Sequence, residues 1–262
     1  MKTKLTYAKL DPQGAEKLSQ EIDCHLVIAS LLYGRGIQSP EAARFFLNPT
    51  FEQLKDPFGL MDMDRAVDRI YTAVMNKEKI LIFGDFDADG VTATSLVYDF
   101  LTHVDADVTW YIPHRIKEGY SLHPPHIDMA VQLSVDLIVT VDCGVGSMEA
   151  VEAARDEDID VIITDHHEPG NSLPQAVAVI NPKRKDCRSG LDYLAGVGVA
   201  FYLVMALRKH FREKDVWKEI EEPSLLRYLD LFAIGTIGDM VPLIDDNRVL
   251  CMAGLKQMQL GK

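Results

Sequence analysis

The sequence predicts an α/β domain, a mostly parallel sheet flanked by helices, preceded by a short helical N-terminal region. Three observations predict it. Short, near-continuously apolar β-branched runs alternate with helical stretches at intervals of roughly 25 residues, the texture of βαβ units whose strands are buried on both faces. The composition of the 262 residues, 47% hydrophobic and 26% charged with 17 Gly and 12 Pro, is that of a globular chain. Acidic and histidine clusters stand where strands should end, at the edge where open α/β sheets bind their ligands.

Residues 1–60 read as the helical region. Apolar runs of helical spacing at 24–33 and 40–47 are punctuated by Gly34, Gly36, Asn48-Pro49 and Pro57. The larger domain, 61–262, begins with an amphipathic helix over 64–75 that places Ala66, Val67, Ile70, Tyr71 and Val74 on one side. Strands are predicted at 79–83, 108–112, 137–141, 161–164 and, more weakly, 176–180. A long helix over 194–210, a second over 223–234 and a turn over 235–242 follow. The closing Leu260-Gly261-Lys262 comes just after an apolar helical pattern, without capping or tail-like composition, and reads as a cut end.

Several classes are excluded. The opening MKTKLTYAKL has no apolar core of a signal peptide, and the early apolar run 26–33 is far short of the roughly 20 residues of a bilayer span. A soluble, unexported chain with no membrane association is expected. Cys24, Cys143, Cys187 and Cys251 form no CxxC pair, so zinc-ribbon and thioredoxin motifs are absent and a reducing cytoplasm is the expected location. The net charge of −13 counts against nucleic acid as a ligand, unless the acids hold cations that invert the local potential.

The acids do cluster. The first strand runs into Gly84-Asp85-Phe86-Asp87-Ala88-Asp89-Gly90, the third into Asp142-Cys143-Gly144 and the fourth into Asp165-His166-His167, while Asp239 follows a later helix. Singly, each has a plain structural reading: a helix cap at Asp85 or its neighbours, a strand-to-turn signal at Asp142, an N-cap with two surface histidines at Asp165. Asp-x-Asp-x-Asp-Gly also resembles the start of a calcium loop, but Leu96 stands where its bidentate Glu belongs. Jointly, carboxylates brought to one sheet edge repel unless cations neutralise them. Oxygen ligands with one or two imidazoles suit Mn²⁺ or Mg²⁺ better than structural zinc. So many ligands fit two ions about 3.5–4 Å apart better than one. Cys143 reads as a small buried hydrophobe. Arg115 and Lys117, and the local charge of +3 over 183–188, read either as solvated loops or as phosphate contacts. Gly196-x-Gly198 has Phe201 where a dinucleotide fingerprint needs its third glycine, so it reads as close helix packing.

These motifs resemble those of the DHH phosphoesterase superfamily, whose name Asp165-His166-His167 spells. The 111–120 segment, Tyr111 to Tyr120, and the stretch 194–201 are similar to its single-strand-specific DNA exonucleases. The resemblance covers essentially the whole chain. It implies that Asp87, Asp89, Asp142, His166 and Asp239 are metal ligands with Asp142 bridging two Mn²⁺ or Mg²⁺ ions. His167 would face the scissile phosphate and Asp165 would orient the neighbouring imidazole. Many members carry a histidine four residues before the first metal aspartate; Phe83 stands there, so one ion would be held more weakly or Asp85 would compensate, Asp85 being either ligand or helix cap. The ions would polarise a phosphodiester oxygen and acidify a water for in-line attack. The implied activity is 5′→3′ hydrolysis of single-stranded DNA to mononucleotides in repair and recombination. Arg115, Lys117, Lys183 and Arg184 are the candidate nucleic-acid contacts, and a single-strand-binding protein and a helicase are further implied partners. The resemblance places a DHH-associated domain and an oligonucleotide-binding fold beyond residue 262. The alternatives are action on short oligoribonucleotides, cyclic dinucleotides or pyrophosphate, and a metal-free scaffold.

Overall fold

Five parallel strands, in the spatial order β2 (Val108–Tyr111), β1 (Ile80–Gly84), β3 (Leu137–Val141), β4 (Asp160–Thr164) and β5 (Ala178–Ile180), make up the sheet of the computed structural model, which describes residues 11–260. The opening segment and Gly261-Lys262, on which the readings of an unexported start and a cut end partly rest, lie outside the described residues. The chain divides into two compact units, Met1–Leu54 and Lys55–Lys262.

In the first unit, α1 (Pro12–Glu21), α2 (Leu26–Gly34) and α3 (Pro40–Leu47) enclose a small core of Leu18, Ala29, Leu32 and Ala43. Their starts are capped by Asp11, His25 and Ser39, whose side chains accept the N–H groups of Gln13, Val27 and Ala42. Sequence periodicity points to α2 and α3 but not to α1, a polar helix that buries only Ala15 and Leu18. The larger compact unit begins at Lys55, whose N–H donates to Asp246 Oδ1 at 2.9 Å.

That unit opens with the amphipathic α4 (Met63–Asn76), which buries Ala66, Val67, Ile70 and Val74 as the spacing predicts. Every residue of β1 and β3 is buried, which is why these segments read as unbroken apolar runs. The crossover helices are α5 (Ala88–His103), α6 (Pro124–Gln132) and α7 (Met148–Asp156). α6 and α7 cover one face, in a core that includes Phe83, Ile127, Ile138, Val151 and Ile163. α4, α5 and α8 (Gly196–Glu213) contact the strands as well.

The second late helix begins later and ends later than the sequence predicts. Leu225–Tyr228 is a 3-10 turn, and α9 runs over Leu229–Gly238, so Gly235 is helical instead of opening a turn. Its missing side chain serves packing: a Cβ there would lie 2.3 Å from Thr92 Oγ1 and 2.8 Å from Val197 Cγ1. α10 (Asp245–Gln259) then packs on α9, with Gly254 against the Leu229 carbonyl. Among the described residues no helix is long and apolar enough to cross a membrane.

The strand order determines where the site lies. From β1 the chain winds outward to β2 and then returns to β3 on the other side, so a crevice opens between the carboxyl ends of β1 and β3. Asp85 follows β1 directly and Asp142 follows β3 directly.

Candidate metal centre

Six carboxylates and two imidazoles from β1, α5, β3, β4 and α9 surround this crevice. Asp87 is the N-cap of α5, its Oδ1 accepting from Asp89 N at 2.9 Å and Gly90 N at 3.0 Å. Asp85 is therefore not the cap. It is buried, and its Oδ1 has no hydrogen-bond partner. Asp89, buried in the first turn of α5, is clamped by the start of α8: Gly196 N donates to Oδ2 at 2.6 Å and Val197 N to Oδ1 at 2.7 Å. A helix N-terminus aimed at a carboxylate is a favourable pairing of partial charges.

Asp142 leaves β3 in the left-handed conformation, φ +62°, and is buried with its Oδ1 unpartnered. The start of α8 packs so closely there that a Cβ on Gly196 would fall 2.4 Å from Asp142 Oδ1. Gly196 thus answers to the metal centre, and only Gly198, whose Cβ would meet Leu194, to helix packing. His166 Nε2 lies 3.1 Å from Asp142 Oδ1 and 3.7 Å from both Asp89 Oδ2 and Asp239 Oδ2. Among the described residues neither ring nitrogen of His166 makes a hydrogen bond of good geometry, although the Leu194 backbone is near enough to raise its pKa. Asp239, the C-cap of α9, is partly exposed.

Asp165 has a different task. Its Oδ1 accepts from the N–H groups of His166 and His167 at 2.7 and 3.0 Å and from His167 Nδ1 at 2.8 Å, while Oδ2 accepts from Val145 N at 2.9 Å. The imidazole it orients is that of His167, which leaves the hydrogen on Nδ1 and the lone pair on Nε2 in the neutral ring.

The electrostatics follow from burial. Desolvation, with the charges of Asp89 and Asp87 next, pushes the Asp142 carboxyl up to about 11. Desolvation likewise raises Asp89 to about 7 against the pull of its two backbone donors, and raises Asp85 and Asp239. Burial pushes His166 down to about 4, keeping it neutral. Burial also opposes ionisation of Asp165, but the bonds from His167 and the backbone outweigh it and hold its carboxyl below the usual range. The Asp165 bond raises His167. A pocket whose carboxylates resist ionising together, and whose buried acceptors lack donors, fits divalent cations.

The ligating atoms sort into groups that lie within 4.8 Å of one another: Asp85, Asp87 and Asp142; Asp89, His166 and Asp239; and Asp142, His166 and His167. The first two share no member and meet at the Asp142–His166 contact. Phe83 is elsewhere, its ring fully buried against Tyr111 and His126 at 5.9 and 4.9 Å. Cys143 is a buried thiol whose pKa burial raises.

The basic candidates separate. Arg184 is a structural pin rather than an available cation: its guanidinium bonds Asp62 Oδ2 at 2.6 Å, the Val179 carbonyl at 2.5 Å and Asp186 at 2.7 Å, and the side chain is 8% exposed. Lys183 is half-buried, with Nζ 3.6 Å from Glu168, and its charge reaches both histidines and Asp239. Arg115 is exposed with its Cζ 5.1 Å from the Phe86 ring centroid, and Lys117 is exposed. Sequence reasoning gave no role to Tyr120, whose hydroxyl is 3.0 Å from His167 Nδ1 and 3.3 Å from the Asp142 carbonyl, nor to Asn181, which donates to the His167 carbonyl. Tyr120 lay in a segment already singled out. Nothing in the sequence marks Asn181.

The chain is similar to known proteins. The chain is 41% identical over 249 residues to the single-stranded-DNA-specific exonuclease RecJ of Bacillus subtilis (strain 168), covering 95% of this chain and 30% of that protein. It is 44% identical over 206 residues to the exonuclease of the same name from Salmonella typhimurium, covering 78% of this chain and 36% of the relative. The crystal structure of RecJ from Thermus thermophilus in complex with Mn²⁺ superposes with a TM-score of 0.75 at 28% identity, over 97% of this chain and 34% of that one. The chain thus spans about a third of the length of these relatives. The profile of the DHH family, N-terminal domain, matches residues 79–236, from the first strand of the sheet to the helix that carries Asp239. With the sheet order, the Asp165-His166-His167 turn and the carboxylates that precede it all inside that span, the chain belongs to the DHH family.

Proposed function

We propose that this chain is a two-cation phosphoesterase unit that hydrolyses phosphodiester bonds in single-stranded DNA, 5′→3′, releasing mononucleotides. The observation that carries the reading is the pair of buried oxygens without a hydrogen-bond donor in one crevice, Asp142 Oδ1 and Asp85 Oδ1, with His166 Nε2 3.1 Å from the first. The names of the similar proteins supply the substrate class. Asp85, Asp87 and Asp142 would hold one Mn²⁺ or Mg²⁺, and Asp89, His166 and Asp239 the other, with Asp142 and His166 where the two groups meet. Bound there, the ions supply Lewis acidity toward the phosphodiester and its attacking water.

The chain's own residues do the rest. The α8 N–H groups hold Asp89 in place. Asp165 fixes the ring plane of His167 and favours its imidazolium, which would donate from Nε2 to the scissile phosphate. Arg115, Lys117 and Lys183 are the phosphate contacts, and Arg184 supports the loop that carries Lys183. The buried Asp142 and Asp85 oxygens, which have no hydrogen-bond donor among the described residues, favour this reading over a metal-free scaffold, because bound cations would offset their burial. The reading includes a cytoplasmic setting in DNA repair and recombination, with a single-strand-binding protein and a helicase as partners.

Two measurements test it. Metal-stripped protein titrated with Mn²⁺ should bind two ions, and the loaded protein should degrade single-stranded DNA in preference to short oligoribonucleotides, cyclic dinucleotides and pyrophosphate. One ion, or a preference for the small substrates, refutes the corresponding half. The basic residues separate by salt dependence. Lys183→Ala should flatten the slope of log K against log salt for single-stranded DNA by about 0.7, the loss of one phosphate contact. Arg184→Met should leave that slope alone and cost about 2 kcal/mol or more of stability, read from urea melts, by removing the guanidinium that bonds both Asp62 and the Val179 carbonyl.

A further inference from the structure

A second buried polar cluster lies outside the groups of candidate metal ligands. Asp246, in the first turn of α10, is 2% exposed. Its Oδ1 accepts from the Lys55 N–H at 2.9 Å and from the Tyr202 hydroxyl, its Oδ2 accepts from the Tyr193 hydroxyl, and Lys55 Nζ lies 3.7 Å from Oδ2. A buried carboxylate with this many donors is held in one position. The next residue, Asn247, is fully buried and spends its amide nitrogen on two loops, donating to the Tyr193 carbonyl at 2.7 Å and to the Pro242 carbonyl at 3.0 Å.

Those loops complete the metal centre. Shortly after Tyr193 come Gly196 and Val197, whose N–H groups clamp Asp89; shortly before Pro242 comes Asp239. Asp89 and Asp239 are the two carboxylates grouped with His166. α10 also bears on α9 directly, since a Cβ on Gly254 would lie 2.0 Å from the Leu229 carbonyl oxygen. The start of α10 is thus pinned to Lys55, Tyr193 and Tyr202, and the loop from α9 is pinned to the start of α10.

We infer that Asp246 and Asn247 form a positioning cluster that holds the loop feeding α8 and the loop leaving α9 in register, so that Asp89 and Asp239 meet at His166. None of its members is a ligand in the proposed centre. The inference rests on the reading of that centre as a cation site. Its consequence is that metal affinity, and not only stability, depends on residues outside the pocket.

The experiment compares Asn247→Ala, Tyr193→Phe and a control, Arg69→Met, in this chain after metal stripping. Arg69 pairs with Glu78 and Asp160 at 2.6 Å each, at the amino end of β4, the edge opposite the crevice. Mn²⁺ dissociation constants by calorimetry are read beside Tm. Asn247→Ala should weaken Mn²⁺ binding about tenfold to a hundredfold. Arg69→Met should lower Tm while leaving Mn²⁺ affinity within about twofold of wild type. If Asn247→Ala does not fold, Tyr193→Phe carries the test, removing one hydroxyl from Asp246 and weakening Mn²⁺ binding in the same direction. Wild-type Mn²⁺ affinity in the folded cluster variants overturns the inference and leaves the metal centre standing, and equal weakening by Arg69→Met overturns it too. Failure of the wild-type chain to bind Mn²⁺ overturns the cation reading and the inference together.

Discussion

Replacing Asp142 by asparagine is expected to reduce Mn²⁺-dependent hydrolysis by about a thousandfold or more, roughly 4 kcal/mol of transition-state stabilisation, while the chain still folds. The same variant without metal should be at least as stable as wild type. Both expectations come from one fact: the Asp142 carboxylate is buried, its Oδ1 has no donor, and desolvation together with neighbouring acids pushes it up to about 11. Its charge costs the metal-free fold and is useful only when a cation is there to meet it. Asparagine keeps the shape and removes the charge. Single-turnover cleavage with saturating Mn²⁺, set beside thermal melts in chelator, reads both effects. Retention of more than about a tenth of the wild-type rate, a loss of only about 1.4 kcal/mol, would contradict the bridging role. A metal-free variant melting well below wild type would make the carboxylate structural instead.

Gly196→Ala should be nearly as damaging although it changes no ligand. The added Cβ would sit 2.4 Å from Asp142 Oδ1 and 2.5 Å from its Cβ and Cγ, so either the Asp142 side chain or the start of α8 must move. Moving α8 also pulls the Gly196 and Val197 N–H groups off Asp89. Overpacking of this kind costs about 1–3 kcal/mol of stability. The larger loss, about a hundredfold in rate, should come from displaced ligands, since a misplacement of about 1 Å suffices for it. Gly198→Ala is the matched comparison, because the atoms nearest its Cβ would belong to the Leu194 side chain, at 3.1 Å, and not to a ligand. Activity in Gly196→Ala equal to that in Gly198→Ala would show that the contact with Asp142 has no bearing on catalysis.

The sheet was legible because four of its five strands are buried almost throughout, so their apolar runs announce themselves, while the half-exposed edge strand β2 shows through its β-branched and aromatic residues; β3 falls where periodicity puts it. The acids and histidines were legible for a related reason: polar residues directly after buried strands are conspicuous. Contacts between distant parts of the chain were not. Gly196 reads locally as a packing glycine, and only the fold brings it against Asp142 and Asp89. Asp85 and Asp87 are equivalent cap candidates in sequence, and the geometry of the turn after β1 gives the cap to Asp87. Arg184 looks like its basic neighbours until Asp62 is seen beside it. α1 was missed because it buries so little that no apolar period shows.

The central proposal is that this chain, with cations bound in the β1–β3 crevice, would hydrolyse single-stranded DNA from its 5′ end. Its most direct test is a time course of this chain, stripped of metal and then given Mn²⁺, on 5′-labelled and 3′-labelled single-stranded DNA with the matching duplex alongside. The account predicts no cleavage before Mn²⁺ is added. Afterwards, labelled mononucleotide should appear at once from the 5′-labelled strand, progressively shorter labelled fragments from the 3′-labelled strand, and little product from the duplex. Cleavage that persists in chelator, or mononucleotide released first from the 3′-labelled strand, would contradict it.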